Sequence, residues 1–558
     1  MPHVRRLTAP LLLVLFAFIL TALCRMAGPS DLYDKEQPRT ISYTVDILLH
    51  HRWSLPTDNF DIPATKPPLF NWISAPIVAA FGYHEWTLKF PSLLAAAIVL
   101  LCILIAARII SPPATTDITG TTDITSTPNP TSLGVLASLL WLSTFMTAKL
   151  MYLARPDMLV TACLTLAWLT ATQIILSPKP RPLASSLLWL SITAAALTKG
   201  PIALLPILYL IVAAKYLAGS FHPLKRAGLW WGIPLLLAAV GLWSVLAYQQ
   251  DPEFFRQVLL GRELSQRLLP GAAGSNIKHF GWLVTLPNGP FYIIARFLPW
   301  SLLPLAALIC WIINKFRKRS RPPITDITAT TDITKPATLW ILIIALSFCF
   351  LSTKRPDRYA PVFPALALIT AQLALRYAPR LRLRFAHLAA LPLLFLFVIF
   401  INNQFLDSPA KSHLGDNLLR FTTAVSQKTG DDTILFEDGE QTPLQTLLAR
   451  HQPLTPSPDY LQSAKWSIRF FDPHAPSIPA AVSGPIAQID GPKPGRLALY
   501  PLAPNEGPAE FERAQRVPRL YTEENSRDLL VNPDPATTRW LQFWRQHTAP
   551  TSQPTSQP

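Results

Sequence analysis

The chain has 558 residues, half of them hydrophobic and only 15% charged, with a formal net charge of +16 and a mean hydropathy of +0.28. The apolar residues come in blocks of about twenty, separated by short connections rich in Arg, Lys and Pro, which excludes a soluble globular chain and specifies a polytopic helical membrane protein. The cations gather at the ends of the blocks, so the positive charge reads as membrane topology and excludes nucleic acid as the partner.

The first block, 8–27, follows Arg5 and Arg6 and ends in Leu23-Cys24-Arg25-Met26. It lacks the small-x-small pattern of a cleavage site and reads as an uncleaved helix, with a lipoprotein-type Cys24 as the alternative. A loop spanning 28–90 follows, carrying Asp31, Asp34, Glu36, Arg39 and Lys66-Pro67-Pro68. Within it, 69–82 is apolar but short and holds Pro76, which suits a helix lying in the membrane interface. Spans are predicted at 91–110, 132–150, 157–177, 183–198, 201–217, 227–247, 291–314, 337–353, 359–376 and 386–404, about eleven in all with the first. Thr-Asp-Ile-Thr repeats in 116–125 and 325–334 read as flexible spacers. The cysteines Cys24, Cys102, Cys163, Cys310 and Cys349 lie in or beside apolar blocks without paired spacing, as packing residues do.

The apolar blocks stop near Phe405, which divides the chain into a membrane domain, 1–405, and a soluble domain, 406–545, followed by a tail, 546–558, of Pro, Thr, Ser and Gln expected to be disordered. The strand-like segments Thr433–Glu437, Trp466–Phe471 and Arg496–Tyr500 predict a small mixed α/β module for the second domain.

Parity orients the spans. If 69–82 does not cross, then Lys179/Arg181, Lys215/Lys225/Arg226, the 315–321 cluster and Arg376–Arg384 all share the side of Arg5 and Arg6, as the positive-inside rule requires. The opposite face then collects loop 28–90, Arg155-Pro156-Asp157, loop 248–290, the segment 352–359 and everything after 405.

That outer face holds the residues able to do chemistry. A carboxylate beside a cation, as Glu36 and Arg39, can take a proton from a hydroxyl while the cation meets an anion; a solvated salt bridge is the plainer account of such a pair. Pro67-Pro68 stiffens the backbone behind Lys66. Asp157 sits at the mouth of a span, where an acid is costly unless paired, functional or capping the helix expected from Met158. Lys354, Arg355 and Arg358 with Tyr359 form an outward cationic cluster suited to a phosphate or a lipid headgroup, and Lys199-Gly200-Pro201 adds a further cation at an outer turn.

Taken in order, Glu36-x-x-Arg39, Lys66-Pro-Pro-Leu, Ala154-Arg-Pro-Asp157, Leu197-Thr-Lys-Gly200, Leu298-Pro-Trp300 and Lys354-Arg-Pro-Asp-Arg-Tyr359 resemble the GT-C glycosyltransferases of the protein O-mannosyltransferase and lipid A aminoarabinose transferase type, family 39-like. The resemblance covers residues 1 to about 405. It implies a GT-C fold and a polyprenyl-phosphate-sugar donor. It further implies inverting transfer to a lipid, glycan or protein acceptor on the outer face of a bacterial-type inner membrane, with the N-terminus cytoplasmic and the C-terminal domain extracytoplasmic.

Glu36 takes the position of the family's catalytic first-loop Asp, with Asp34 and Asp31 as alternatives. Arg39, Lys66, Lys199, Lys354, Arg355, Arg358 and Tyr359 are the implied substrate-binding set. Asp157 would orient Lys66 or the sugar hydroxyls, or help hold a divalent ion. Thr65 stands where the aminoarabinose branch often has an acid, and Pro287-Asn-Gly-Pro290 where it tends to have a His before the Pro. Both departures argue against a metal site and against that branch, so no cofactor is expected, with a divalent ion as the alternative. A lipid transporter or flippase would place ionisable residues at mid-membrane depth and show duplicated bundles; it and a non-enzymatic scaffold are the competing readings.

Overall fold

The apolar blocks fold as helices in the computed structural model, which describes residues 2–28, 30–32, 37–58, 63–110, 129–264, 288–316, 333–349, 356–378, 384–401, 409–436, 448–449, 452, 456–471, 486–489 and 495–516. The repeats at 116–125, most of those at 325–334, residues 265–287 and the C-terminal tail lie outside the described residues.

In chain order the helices are α1 (Pro2–Met26), α2 (Gln37–His50), α3 (Leu69–Phe81), α4 (Glu85–Ile110), α5 (Pro130–Leu142), α6 (Phe145–Leu150), α7 (Pro156–Leu176), α8 (Pro182–Lys199), α9 (Leu204–Ala218), α10 (His222–Arg226) and α11 (Leu229–Gln250). They continue as α12 (Asn288–Arg296), α13 (Leu302–Phe316), α14 (Thr334–Cys349), α15 (Phe363–Tyr377), α16 (Phe385–Ile401), α17 (Pro409–Thr429), α18 (Pro458–Gln462) and α19 (Gly507–Arg516). Among the described residues, five helical segments are long and apolar enough to cross a membrane: Glu85–Ile109, Pro156–Leu176, Pro182–Ala218, Leu229–Gln250 and Pro356–Tyr377. Five shorter apolar helices accompany them. The chain is a multi-pass membrane protein.

It divides into two units, one of residues 1–28, 53–55 and 64–406 and the other of 29–52, 56–63 and 407–558.

In the first unit, bonds at the helix ends set the direction of each arm. Ser92, near the start of α4, donates to the carbonyls of Leu153 and Arg155 at 2.6 and 3.3 Å, just before α7 begins. Lys199, ending α8, reaches Asp157 at the start of α7. At the other end of α7, Arg226 donates to the Ser177 carbonyl, and Ser185 Oγ and Trp189 Nε1 both donate to the Ala227 carbonyl at 2.8 and 2.7 Å. The chain therefore turns back at Gly200, whose φ of +69° is open to glycine at little cost, and α9 returns beside α7 through a Thr172–Tyr209 hydroxyl bond of 2.7 Å.

At the centre, Trp168 stacks on Trp340 at 6.4 Å and Tyr209 meets Trp340 edge-on at 5.6 Å. Between apolar lipid and an apolar core such contacts gain dispersion and close fit rather than escape from water.

Two arms differ from the sequence expectation. The segment 132–150 is interrupted at Ser143–Thr144, where Thr144 Oγ1 accepts from Thr147 N at 3.3 Å and caps α6. The segment 291–314 is interrupted at 297–301, between α12 and α13, where Pro299 has no N–H to continue a helix. Helix α3 has 13 residues, about 20 Å at 1.5 Å per residue, against a hydrocarbon layer of about 30 Å.

In the second unit, α2 is polar in sequence yet largely buried, with Gln37, Thr40, Ser42, Thr44 and Asp46 all inside. The C-terminal part of the unit is a four-stranded sheet of β1 (Thr433–Phe436), β2 (Ala464–Phe471), β3 (Ile486–Ile489) and β4 (Gly495–Pro501), ordered β1-β2-β4-β3. The β1–β2 pair is parallel and the others antiparallel. Leu418, Phe421 and Val425 of α17 pack with Ile434, Phe436, Ile468, Leu497 and Leu499 of the sheet. Glu510 of α19 holds Arg469 through both carboxylate oxygens at 2.8 and 2.9 Å and accepts from Ser467 at 2.6 Å.

Candidate active site

At one end of the first unit, the turn before α7 gathers a buried cluster of charges. Arg155 precedes the helix in an extended conformation, and Pro156 occupies its first turn, where a missing N–H costs nothing. The helix thus starts at Pro156 rather than Met158, and Asp157 lies inside its first turn, where the helix dipole favours an acid. Its side chain is committed to cations rather than to capping. Lys199 Nζ donates to Asp157 Oδ1 at 2.5 Å, and Arg155 Nη2 stands 3.2 Å from Oδ2.

The same guanidinium nitrogen lies 3.3 Å from Asp357 Oδ2. Asp357 belongs to the short 3-10 helix Pro356–Val362, which also carries Arg358 and Tyr359. Tyr359 is buried against Phe348 and Tyr292, with ring centres at 5.5 and 6.3 Å. Lys66 lies near enough to bear electrostatically on both Asp157 and Lys199.

Among the described residues the cluster sets the cations Lys66, Arg155 and Lys199 beside the carboxylates Asp157 and Asp357. Arg358 adjoins Asp357 in sequence. Buried ion pairs hold only while both partners are present, because an uncompensated buried charge costs several kcal/mol.

The second unit organises Arg39 separately. Arg39 Nε pairs with Asp58 Oδ2 at 3.0 Å, and the guanidinium lies 5.8 Å from the centre of the Tyr43 ring. Asp46 accepts from Thr57 N at 2.8 Å and meets His50 Nδ1 at 2.8 Å and Arg52 at 3.6 Å, tying the segment after α2 back onto the helix.

Of the residues named from sequence, the structure joins Asp157 to Lys199, sets Lys66 within electrostatic range of both, and puts Arg358 and Tyr359 on the short helix of Asp357. Arg39 is engaged by Asp58. Glu36, Asp34, Lys354 and Arg355 lie outside the described residues. Sequence reasoning missed Arg155 and Asp357 as site residues although both stood in the quoted motifs, and it missed Asp58, which no motif marked. Among the described residues no group of three or more His, Cys, Asp or Glu side chains could hold a metal ion.

No family model matches the chain. An uncharacterized protein of Aquifex aeolicus (strain VF5) is 28% identical over 337 residues, covering 57% of this chain and 54% of that one, so the chain spans about half the length of this relative. Among solved structures, ArnT from Cupriavidus metallidurans bound to undecaprenyl phosphate superposes with a TM-score of 0.61 at 14% identity, covering 88% of this chain and 97% of that one. The apo form of the same protein gives 0.61 at 14% identity, covering 90% and 98%. At that identity the likeness concerns architecture, and it extends over almost all of ArnT: the chain has the GT-C fold of lipid A aminoarabinose transferase.

Proposed function

We propose that this protein is a membrane glycosyltransferase that moves a sugar from a polyprenyl-phosphate-sugar donor to a lipid, glycan or protein acceptor at the outer face of a bacterial-type inner membrane. The observation that carries the reading is the Asp157 cluster, in which Arg155 and Lys199 are held by Asp157 and Asp357 at one end of a GT-C bundle. The fold neighbour bound to undecaprenyl phosphate supports the donor class.

The chemistry is a single displacement. The acceptor hydroxyl oxygen attacks the anomeric carbon, the bond from that carbon to the phosphate oxygen breaks, and the electron pair leaves on polyprenyl phosphate. The hydroxyl proton passes to a carboxylate, for which Glu36 is the candidate and Asp34 the alternative. Negative charge grows on the leaving phosphate, and preplaced cations lower the barrier most where charge develops. Lys66, Lys199 and Arg358 are assigned to that phosphate together with Lys354 and Arg355, Tyr359 to the substrate, and Arg39 to the anionic donor. Asp157 holds Lys199 and Arg155 in place and tempers a cluster that would otherwise repel itself.

The test follows free polyprenyl phosphate by mass spectrometry, using purified protein in nanodiscs with a panel of polyprenyl-phosphate sugars and a membrane extract as acceptor. Wild type is expected to release the lipid phosphate from one donor, and Glu36→Gln to lose about a hundredfold or more of that rate. Folded wild type that releases none from any donor would sink the reading and favour transport.

A further inference from the structure

A lysine whose side chain is only 1% exposed needs a reason to be inside a helical bundle. Lys89 is such a residue, in the second turn of α4. Its Nζ lies 2.5 Å from Glu85 Oε1, one helical turn back, and 4.4 Å from the centre of the Tyr152 ring. Tyr152 is itself buried in the turn leading to α7. Three residues beyond Lys89, and so on the same face of α4, Ser92 donates to the carbonyls of Leu153 and Arg155 at 2.6 and 3.3 Å. The face of α4 thus grips the turn at both ends, at the Tyr152 ring and at the Arg155 backbone.

The turn delivers Arg155. Its Nη2 bridges two carboxylates, Asp157 at 3.2 Å and Asp357 at 3.3 Å, and both distances are long for charge-assisted bonds. A small shift of the turn would break one or both. Lys89 touches the turn at Tyr152, whereas Asp157 is bonded directly by Lys199 and Arg155.

We propose that Glu85, Lys89 and Ser92 form a clamp that sets the position of Arg155, and that Lys89 is a positioning residue for the transfer reaction. The proposal rests on the glycosyltransferase reading for its effect on rate, but the clamp itself is physical and can be measured without turnover. Lys89 fixes the aromatic end of the turn because a desolvated ammonium binds a ring face strongly and directionally. Glu85 compensates the buried charge. Removing the ammonium frees the ring, the turn relaxes, and Arg155 no longer bridges its two partners.

The experiment compares Lys89→Met and Lys89→Arg in the otherwise intact protein and in an Arg155→Ala background, reading kcat and KM for the lipid donor together with hydrogen–deuterium exchange over 151–155. Lys89→Met is expected to lower kcat about tenfold or more, since small misplacements of a reacting group are costly, while KM stays within about threefold and exchange over 151–155 rises. Lys89→Arg is expected to return kcat to within about threefold of wild type. In the Arg155→Ala background Lys89→Met should add less than about twofold, because effects on one path do not multiply. Wild-type kcat and exchange in Lys89→Met, or full multiplication in the double variant, would overturn the proposal. If Lys89→Met does not fold, Tyr152→Leu carries the same measurements. An inactive wild type in which exchange still responds to Lys89→Met would remove the transferase reading and keep the clamp; an active wild type with unmoved variants would remove the clamp alone.

Discussion

Asp157 is one carboxylate shared by two cations in a place where none of the three is well hydrated. Lys199 and Arg155 reach different oxygens of it, at 2.5 and 3.2 Å. Asp157→Asn keeps the shape and removes the charge, leaving Lys199 and Arg155 facing each other with Asp357 as the nearest compensation. Breaking such a buried pair costs about 3–5 kcal/mol, so Asp157→Asn should unfold at markedly lower denaturant or temperature in detergent. The double variant Asp157→Asn/Lys199→Met removes the stranded ammonium as well. Its loss of stability should fall short of the sum of the single losses by about 0.5–3 kcal/mol. Strict additivity in unfolding curves would mean that the pair contributes nothing.

The sequence made Asp157 and Lys199 visible separately, as charges at helix ends, because a charge in an apolar run stands out. Their pairing was not visible, since the partners lie 42 residues apart and Arg155 and Asp357 lie 202 apart. Nor did any pattern tie Arg39 to Asp58, a loop carboxylate with no helical or strand periodicity to reveal which way it faces.

Helix α11 shows how packing decides what a glycine is for. It contains Gly232 and Gly241, two interior positions that sequence alone cannot tell apart. A methyl group at Gly232 would overlap the ring of Trp189, while one at Gly241 would meet nothing within 4 Å. Trp189 cannot easily yield, because it is fully buried and its Nε1 is bonded to the Ala227 carbonyl at 2.7 Å. Gly232→Ala should therefore cost about 1–3 kcal/mol through overpacking, and Gly241→Ala should be neutral or stabilise by up to about 1 kcal/mol through helix propensity. Thermal unfolding of the two variants side by side decides it, and equal midpoints would mean that α8 and α11 do not cross at Gly232.

The same scale explains which elements were legible. Apolar runs declared most of the helices, and turn residues such as Gly200 and Gly219 marked their ends. The interruptions at Ser143–Thr144 and 297–301 were hidden because apolar residues continue across both, so only local hydrogen bonding and a missing N–H separate the segments. Strand β3, four residues long, carried too little pattern to be read.

At the scale of the whole molecule the question is which end of the first unit faces out. One end holds Trp53–Leu55, whose three carbonyls accept in turn from Trp72 Nε1, Trp243 Nε1 and Gln250 Nε2 at 2.7, 2.9 and 2.7 Å. The same α4, α7 and α8 ends bring Glu85–Ser92, Tyr152–Asp157 and Lys199 into contact. At the far ends of α7 and α8, Ser177, Ser185 and Trp189 meet Arg226 and Ala227. The loops 177–181 and 215–228 at that far end contain five cations, Lys179, Arg181, Lys215, Lys225 and Arg226, and no acidic residue. Short loops with such a bias favour the cytoplasm, and on that ground we propose that the Asp157 end faces out.

Ser220 and His84 are both exposed, one in the basic loop and one just ahead of α4. In a variant with the five native cysteines replaced by alanine, His84→Cys should react with a membrane-impermeant maleimide in intact cells. Ser220→Cys should react only after permeabilisation. The opposite pattern would place Asp157 and its cations on the cytoplasmic face, where an outer-face transfer could not use them, and would turn the proposed reaction inside out while leaving the fold untouched.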